Sequence, residues 1–431
     1  MFYRNDCYLS TKCVNVQAYA NNQHKIAEEM LTNPFLKAMK ICEGTISILD
    51  AGYVVYSRIW CIFELFKSVM GNNSSYEVDV YTEIDGDKAV GITHGYIPTD
   101  QGDSQRKKRR ERNFPLRRIL ESTNVDVKQA QASLESDRRF ILNTITGQSV
   151  DGAVVDNHAN YDELNNILRG IFVAPALERI VKERDIDTIQ SCLNIVKASK
   201  AKIIDLNFLG CTKFKDEILK QLVDSLPPTL AIFTLHSKGS EVRGNAINAY
   251  LKRIILNRPH LVRLNLSYNN INADGARILA GVLKENRSLR FLRLNDNNIG
   301  TNGATEIADA LKVNECLEEL ELTKNNIGCD ETKKIAHALR LNRTLKTLEL
   351  SENQICDEGA KALADSLKKN STLKRLYMNS NKIGDDGAKK IADASHRLER
   401  LSLKGNNIGN DVKESIEKVT RDVNHRIHLE L

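Results

Sequence analysis

Glu64 is the side chain in this sequence best placed to do chemistry. It lies in the apolar stretch SRIWCIFELF (57–66), beside Cys61 and the chain's single tryptophan, Trp60. A carboxylate at the edge of a core can work as a general acid or base, because partial burial lifts its pKa toward neutrality. Helical spacing puts Ile59, Ile62, Phe63, Phe66 and Val69 on one buried stripe, with Ser57 as N-cap and Trp60, Glu64 and Lys67 on the adjoining face. That border position serves an ordinary packed helix as well as a catalytic one. His24, in VQAYANNQHKI (16–26), is a second polar candidate, and a loop hydrogen bond is the alternative use for it. Only Arg58 offers Cys61 the positive surroundings that activate a thiolate, so core packing is the expected use of Trp60 and Cys61.

The remaining chemistry-bearing residues form no cluster. The nine cysteines are scattered, odd in number, and never paired as CxxC or set with histidines at zinc-ligand spacing. They are predicted to be free thiols in a reducing compartment, with no metal site. Neither GxGxxG nor GxxxxGK[ST] is present, and no cofactor is expected. No leader pattern opens the chain, and no run approaches the roughly 18 apolar residues of a membrane span. The expectation is a soluble cytoplasmic protein. A net charge of +6 on 431 residues is too small to argue for nucleic acid. Part of that charge sits in RKKRRER (106–112), a candidate nuclear-import signal or anionic-surface patch as well as a solvated loop.

What must position any functional surface is a repeat. Leu261, Leu289, Leu317, Leu345 and Leu373 open segments spaced 28 residues apart, and a sixth opens at Leu398. Each reads LxxLxLxxN, ending at Asn269, Asn297, Asn325, Asn353, Asn381 and Asn406, with Met378 once replacing leucine. Alternation in the LxL core makes a short strand, and a buried asparagine can satisfy backbone groups where the chain bends away. Downstream, Ala276, Leu279, Ala280 and Leu283 share one helical face, as do Ala304, Ile307, Ala308 and Leu311. Gly275, Gly303, Gly359 and Gly387 recur near the helix starts, and the third repeat has Glu331 instead.

This pattern is identified as the leucine-rich repeat. Its full return helix resembles the ribonuclease-inhibitor class, found in Nod-like receptors and in the activating protein of the GTPase Ran. Two degenerate repeats, at 201–210 and 230–239, extend the array upstream, and the charged tail would cap its other end. The implied fold is α/β, a horseshoe with parallel strands inside and helices outside. Its concave face would carry Arg263, Asn265, Phe291, Arg293, Glu319, Glu321, Thr347, Glu349, Arg375, Tyr377, Arg400 and Ser402. There an acidic centre of Glu319, Glu321 and Glu349 lies between basic positions, with Phe291 and Tyr377 as aromatic anchors. The expected partner is a protein gripped on this face, in an intracellular sensing, signalling or scaffold role. Activation of a GTPase, as by the Ran activator, is an alternative resting on repeat class.

Residues 1–97 read as a separate small α/β domain, with GTISILD (44–50) as a strand and the tryptophan helix after it. The S-x-W-C-x-x-E-L pattern, here Ser57, Trp60 displaced by one residue, Cys61, Glu64 and Leu65, resembles the Toll/interleukin-receptor-like (TIR) domain. VQAYANNQHKI looks like the segment preceding that helix in related protist repeat proteins. In enzymatic members of that family the equivalent of Glu64 assists cleavage of NAD between nicotinamide and ribose, where a carboxylate stabilises oxocarbenium character. The resemblance therefore implies an NAD glycohydrolase as a further alternative. Against it, the family's first strand and phosphate-proximal loop are expected to be absent, the segment at 16–26 lying so near the start of the sequence. Residues 98–115 read as a basic flexible loop, 116–200 as a helical connector, and 201–431 as the repeat solenoid.

Overall fold

The computed structural model describes residues 14–16, 44–49, 66, 77–84, 88–94, 111–132, 134–242, 245–423 and 427–431. The chain divides into two units, Met1–Ile204 and Asp205–Leu431.

In the first unit, β1 (Val14–Val16), β2 (Gly44–Leu49) and β3 (Glu77–Ile84) pair in parallel, and β4 (Lys88–His94) runs antiparallel to β3. The GTISIL segment is thus a central strand. Four helices follow: α1 (Leu116–Ser122), α2 (Glu135–Thr146), α3 (Ala159–Glu183) and α4 (Ile186–Ala198). α3 is buried nearly all round, through Leu164, Ile167, Leu168, Ile171 and Leu177, as a central helix must be. It packs closely on the end of α4, because Gly170 lacks the Cβ that would collide with Ser199 Cβ at 2.3 Å. The 98–115 segment is not all loop where it is described. Glu111 and Arg112 are helical, and Phe114 is fully buried, its ring centroid 6.1 Å from that of Phe172. The Arg179 guanidinium donates to the Phe114 carbonyl at 2.6 Å, so one aromatic side chain anchors the end of a polar run.

The second unit alternates strands and helices without interruption. Its nine-stranded sheet runs in sequence order from β5 (Ile203–Asn207) through β6 (Ile232–His236), β7 (Arg263–Asn265), β8 (Phe291–Arg293), β9 (Glu319–Glu321), β10 (Thr347–Glu349), β11 (Arg375–Tyr377) and β12 (Arg400–Ser402) to β13 (His428–Glu430). Between them lie α5 (Asp216–Ser225), α6 (Leu251–Leu256), α7 (Ala273–Glu285), α8 (Gly300–Leu311), α9 (Cys329–Leu341), α10 (Asp357–Leu367), α11 (Asp385–Ala394) and α12 (Asn410–Val423). Leu264, Leu292, Leu320, Leu348, Leu376 and Leu401 stand in register on successive parallel strands and are buried. Each contributes roughly 2 kcal/mol of apolar transfer free energy, repeated along the stack. The architecture is an α/β leucine-rich-repeat solenoid.

Neighbouring repeats are stitched at both ends of their helices. The Asp357 carboxylate accepts from Gly384 N at 2.6 Å, and Asp385 from Gly409 N at 2.8 Å. At the equivalent place one repeat earlier, Cys356 N donates to Cys329 Sγ at 3.1 Å. Cys329 and Cys356 are joined as a disulfide with Cα atoms 5.5 Å apart, so the free-thiol expectation fails for this pair. Residues 27 apart in sequence become neighbours only when the repeat stacks them. Cys192, Cys211 and Cys316 are free, and burial lifts the Cys192 thiol to about 11.

Candidate binding face of the repeat array

The asparagine that ends each LxxLxLxxN segment builds the platform. Asn353 Nδ2 donates to Leu322 O at 2.9 Å and Leu350 O at 3.0 Å, while its Oδ1 accepts from Asn325 N at 2.9 Å and Ile327 N at 3.0 Å. Asn269, Asn297, Asn325, Asn381 and Asn406 likewise donate to a carbonyl of the repeat before. The backbone groups freed by the turn are thereby satisfied inside the protein. The residue just before each of these asparagines is left-handed, at Tyr268, Asp296, Lys324, Glu352, Ser380 and Gly405. A tight bend after every strand is what requires it.

A second ladder, which the motif reading passed over, holds the other edge. Asn314, Asn342 and Asn370, just past the helix ends, donate to Leu283, Leu311 and Leu339 carbonyls at 2.7 to 2.9 Å. Their Oδ1 atoms accept from Leu317, Leu345 and Leu373 N at 2.8 Å. The recurring N-x-x-L before each strand was the available signal. Two repeats upstream of Asn314, Arg258 takes this role and donates to the carbonyls of Leu226 at 2.9 Å and Ile254 at 3.1 Å, filling the orphan acceptors of two helix ends. Burial, with Arg253 nearby, lowers its guanidinium to about 10.

On this platform the outward strand positions form rows across the sheet. Arg263 lies over the Phe291 ring, 3.9 Å from its centroid, and burial holds that guanidinium below its usual range. Arg293 reaches Glu319 Oε1 through Nη2 and Glu321 Oε1 through Nε, both at 2.9 Å. Asn295 donates to Glu321 Oε2 at 2.6 Å. Two of the three carboxylates expected to form an acidic centre are therefore engaged by one guanidinium. Glu349 has no basic partner among the described residues; its Oε1 accepts from Ser351 N at 2.8 Å. Burial raises the Glu349 pKa, and burial together with the neighbouring Glu319 raises that of Glu321 to about 7. Arg375 donates to Thr347 Oγ1 at 3.0 Å, which covers Thr347, and Tyr377 stands beside Glu349 in register. Ser402 is buried too, held between Asn379 and Glu430 of the added strand β13.

Residues 258–280, 285–308, 313–329, 341–364 and 369–392 match the family model described as Leucine Rich repeat. The chain carries leucine-rich repeats. A solved structure similar to part of the chain is the Leiomodin-1 Actin-Binding Site 2 (ABS2), at 19% identity over 36% of this chain and 88% of that one, with a TM-score of 0.30. No curated protein matches the chain.

Glu64, Trp60, Cys61, His24 and the basic run up to residue 110 lie outside the described residues. Among the described residues, no group of three or more His, Cys, Asp or Glu could hold a metal ion. No described helix is long and apolar enough to cross a membrane.

Proposed function

We propose that the repeats are of the ribonuclease-inhibitor class and bind a protein partner on their concave face, as the recognition module of an intracellular sensing, signalling or scaffold protein. The observation that carries this reading is the state of Glu349. It is a largely buried carboxylate on the open face of the sheet, beside Tyr377, with no cation of its own among the described residues. A basic side chain from a partner would restore the charge that burial disfavours. The Arg293 network beside it is already satisfied and supplies a rigid flank, and the Arg263–Phe291 stack supplies an amphipathic one. Rigid, partly desolvated anchors of this kind dominate interface energetics. Neither NAD hydrolysis nor activation of a GTPase has an observation among the described residues in its favour.

The test is a Glu349→Lys, Tyr377→Ala variant of the full chain, with retained proteins quantified from a cell extract. The set held by the wild-type chain should fall by about tenfold or more while the thermal melt stays in place. Equal retention by both proteins would remove the concave face as the binding surface.

A further inference from the structure

The helix C-termini of the array line one edge of the sheet, and there two consecutive repeats are basic without relief. RLNRTLK (340–346) and KKNSTLK (368–374) hold six cations and no carboxylate. Helix dipoles favour bases at helix C-termini, which accounts for Arg340 in a last turn and Lys368 at a C-cap. It does not account for Arg343, Lys346 and Lys374, which lie beyond the helices. Lys368 pairs with Asp365, and Lys346 with Glu318. Arg340, Arg343, Lys369 and Lys374 have no carboxylate partner among the described residues.

The same edge shows how it takes an acid. Glu318 lies between Arg290, at 2.9 Å, and Lys346, at 2.7 Å, each 28 residues away in the adjoining repeats. Its register equivalents one, two and three repeats on are Lys346, Lys374 and Glu399, so Lys346 and Lys374 stand as adjacent cations with no carboxylate of the chain between them. Two aliphatic side chains stand in the same rim: Val313 and Leu341, equivalent positions of consecutive repeats, are 53% and 51% exposed. No Phe, Tyr or Trp occurs in 284–290, 312–318, 340–346 or 368–374, so stacking on nucleic-acid bases has no platform there.

We propose that this edge, separate from the concave face, docks an acidic polypeptide segment that carries aliphatic side chains. The partner's carboxylates repeat the placement of Glu318 between cations of successive repeats. Its aliphatic side chains cover Val313 and Leu341.

The experiment uses the full chain and a fluorescein-labelled peptide of repeating Glu-Glu-Leu, followed by anisotropy. Binding should saturate, weaken with added salt, and fall by about tenfold or more in an Arg343→Glu, Lys369→Glu variant. A Lys334→Glu, Lys389→Glu variant, which changes net charge equally on outer helix faces, should bind within about twofold of wild type. Leu341→Ser should weaken this peptide and leave polyglutamate unaffected. Glu349→Lys should leave peptide binding intact, which keeps the result independent of the concave face. The proposal is overturned if the peptide does not bind, or if the edge and control variants bind it alike. It is equally overturned if phosphatidylserine vesicles or duplex DNA bind through Arg343 and Lys369 more tightly than the peptide does.

Discussion

Arg293 Nε lies 2.9 Å from Glu321 Oε1 across the β8–β9 boundary, yet the Glu321 carboxyl is held near neutrality in pKa. Removal from water and the adjacent Glu319 outweigh one guanidinium that two carboxylates share.

The sign of its effect on stability follows. Between the ordinary value of 4.5 and the folded value of about 7, the native array keeps a proton that the unfolded chain has released. This residue's contribution to stability therefore falls as pH rises through that window and is flat above it. The effect is on the order of 1–3 kcal/mol. Asp296 and Glu318, whose carboxyls are held low by lysines, act in the opposite direction below that window. Urea unfolding compared at about pH 5 and about pH 8 should show the loss in wild type and a smaller one in Glu321→Gln, where Glu349, raised by burial, still acts in the same direction. Identical slopes in both proteins would mean that Glu321 ionises normally.

The asparagine platform should be expensive to disturb. Asn353→Ala removes donors to Leu322 and Leu350 and the acceptor for two backbone N–H groups, all in buried surroundings. A cost of about 3–5 kcal/mol is expected from the unsatisfied groups left behind. Amide hydrogen exchange should localise the loss to Asn325 and Ile327, the donors it orphans. Asn353→Asp should retain those two acceptor bonds and lose the donor pair.

Glu331 gives a smaller, local prediction. It replaces the recurring helix-start glycine, whose absent Cβ at Gly303 would otherwise meet Ala276 Cβ at 2.7 Å. Instead of packing inward, the Glu331 carboxylate turns back to accept from Gly328 N at 2.9 Å, the half of a capping box that a glycine N-cap allows. Glu331→Ala should cost about 1 kcal/mol and Glu331→Gln much less, measured by thermal melts.

The repeat array was legible because each 28-residue step buries the same side chains. Leu292, Leu320 and Leu348 announce their register in sequence before they pair in space. The outward strand positions followed from alternation alone. How those side chains pair did not follow, because a guanidinium on β8 choosing carboxylates on β9 depends on rotamers and burial. The Cys329–Cys356 pair and the cover that β13 lays over Ser402 depend likewise on stacking, not on local pattern. The burial of Phe114 was not legible for a related reason: a polar flank says nothing about the cavity its one aromatic fills.

The constant register of the asparagine ladder makes the array divisible. The four inner rungs, Asn297, Asn325, Asn353 and Asn381, each donate 31 residues back and offer their oxygen 26 residues back, as Asn353 does to Leu322 and Ile327. Excising one period between equivalent points, such as Leu320 and Leu348, joins like to like and leaves every remaining rung a counterpart. The length of the inner wall is thus a quantity that insertion or deletion of whole periods can change while the scaffold keeps its internal bonding intact.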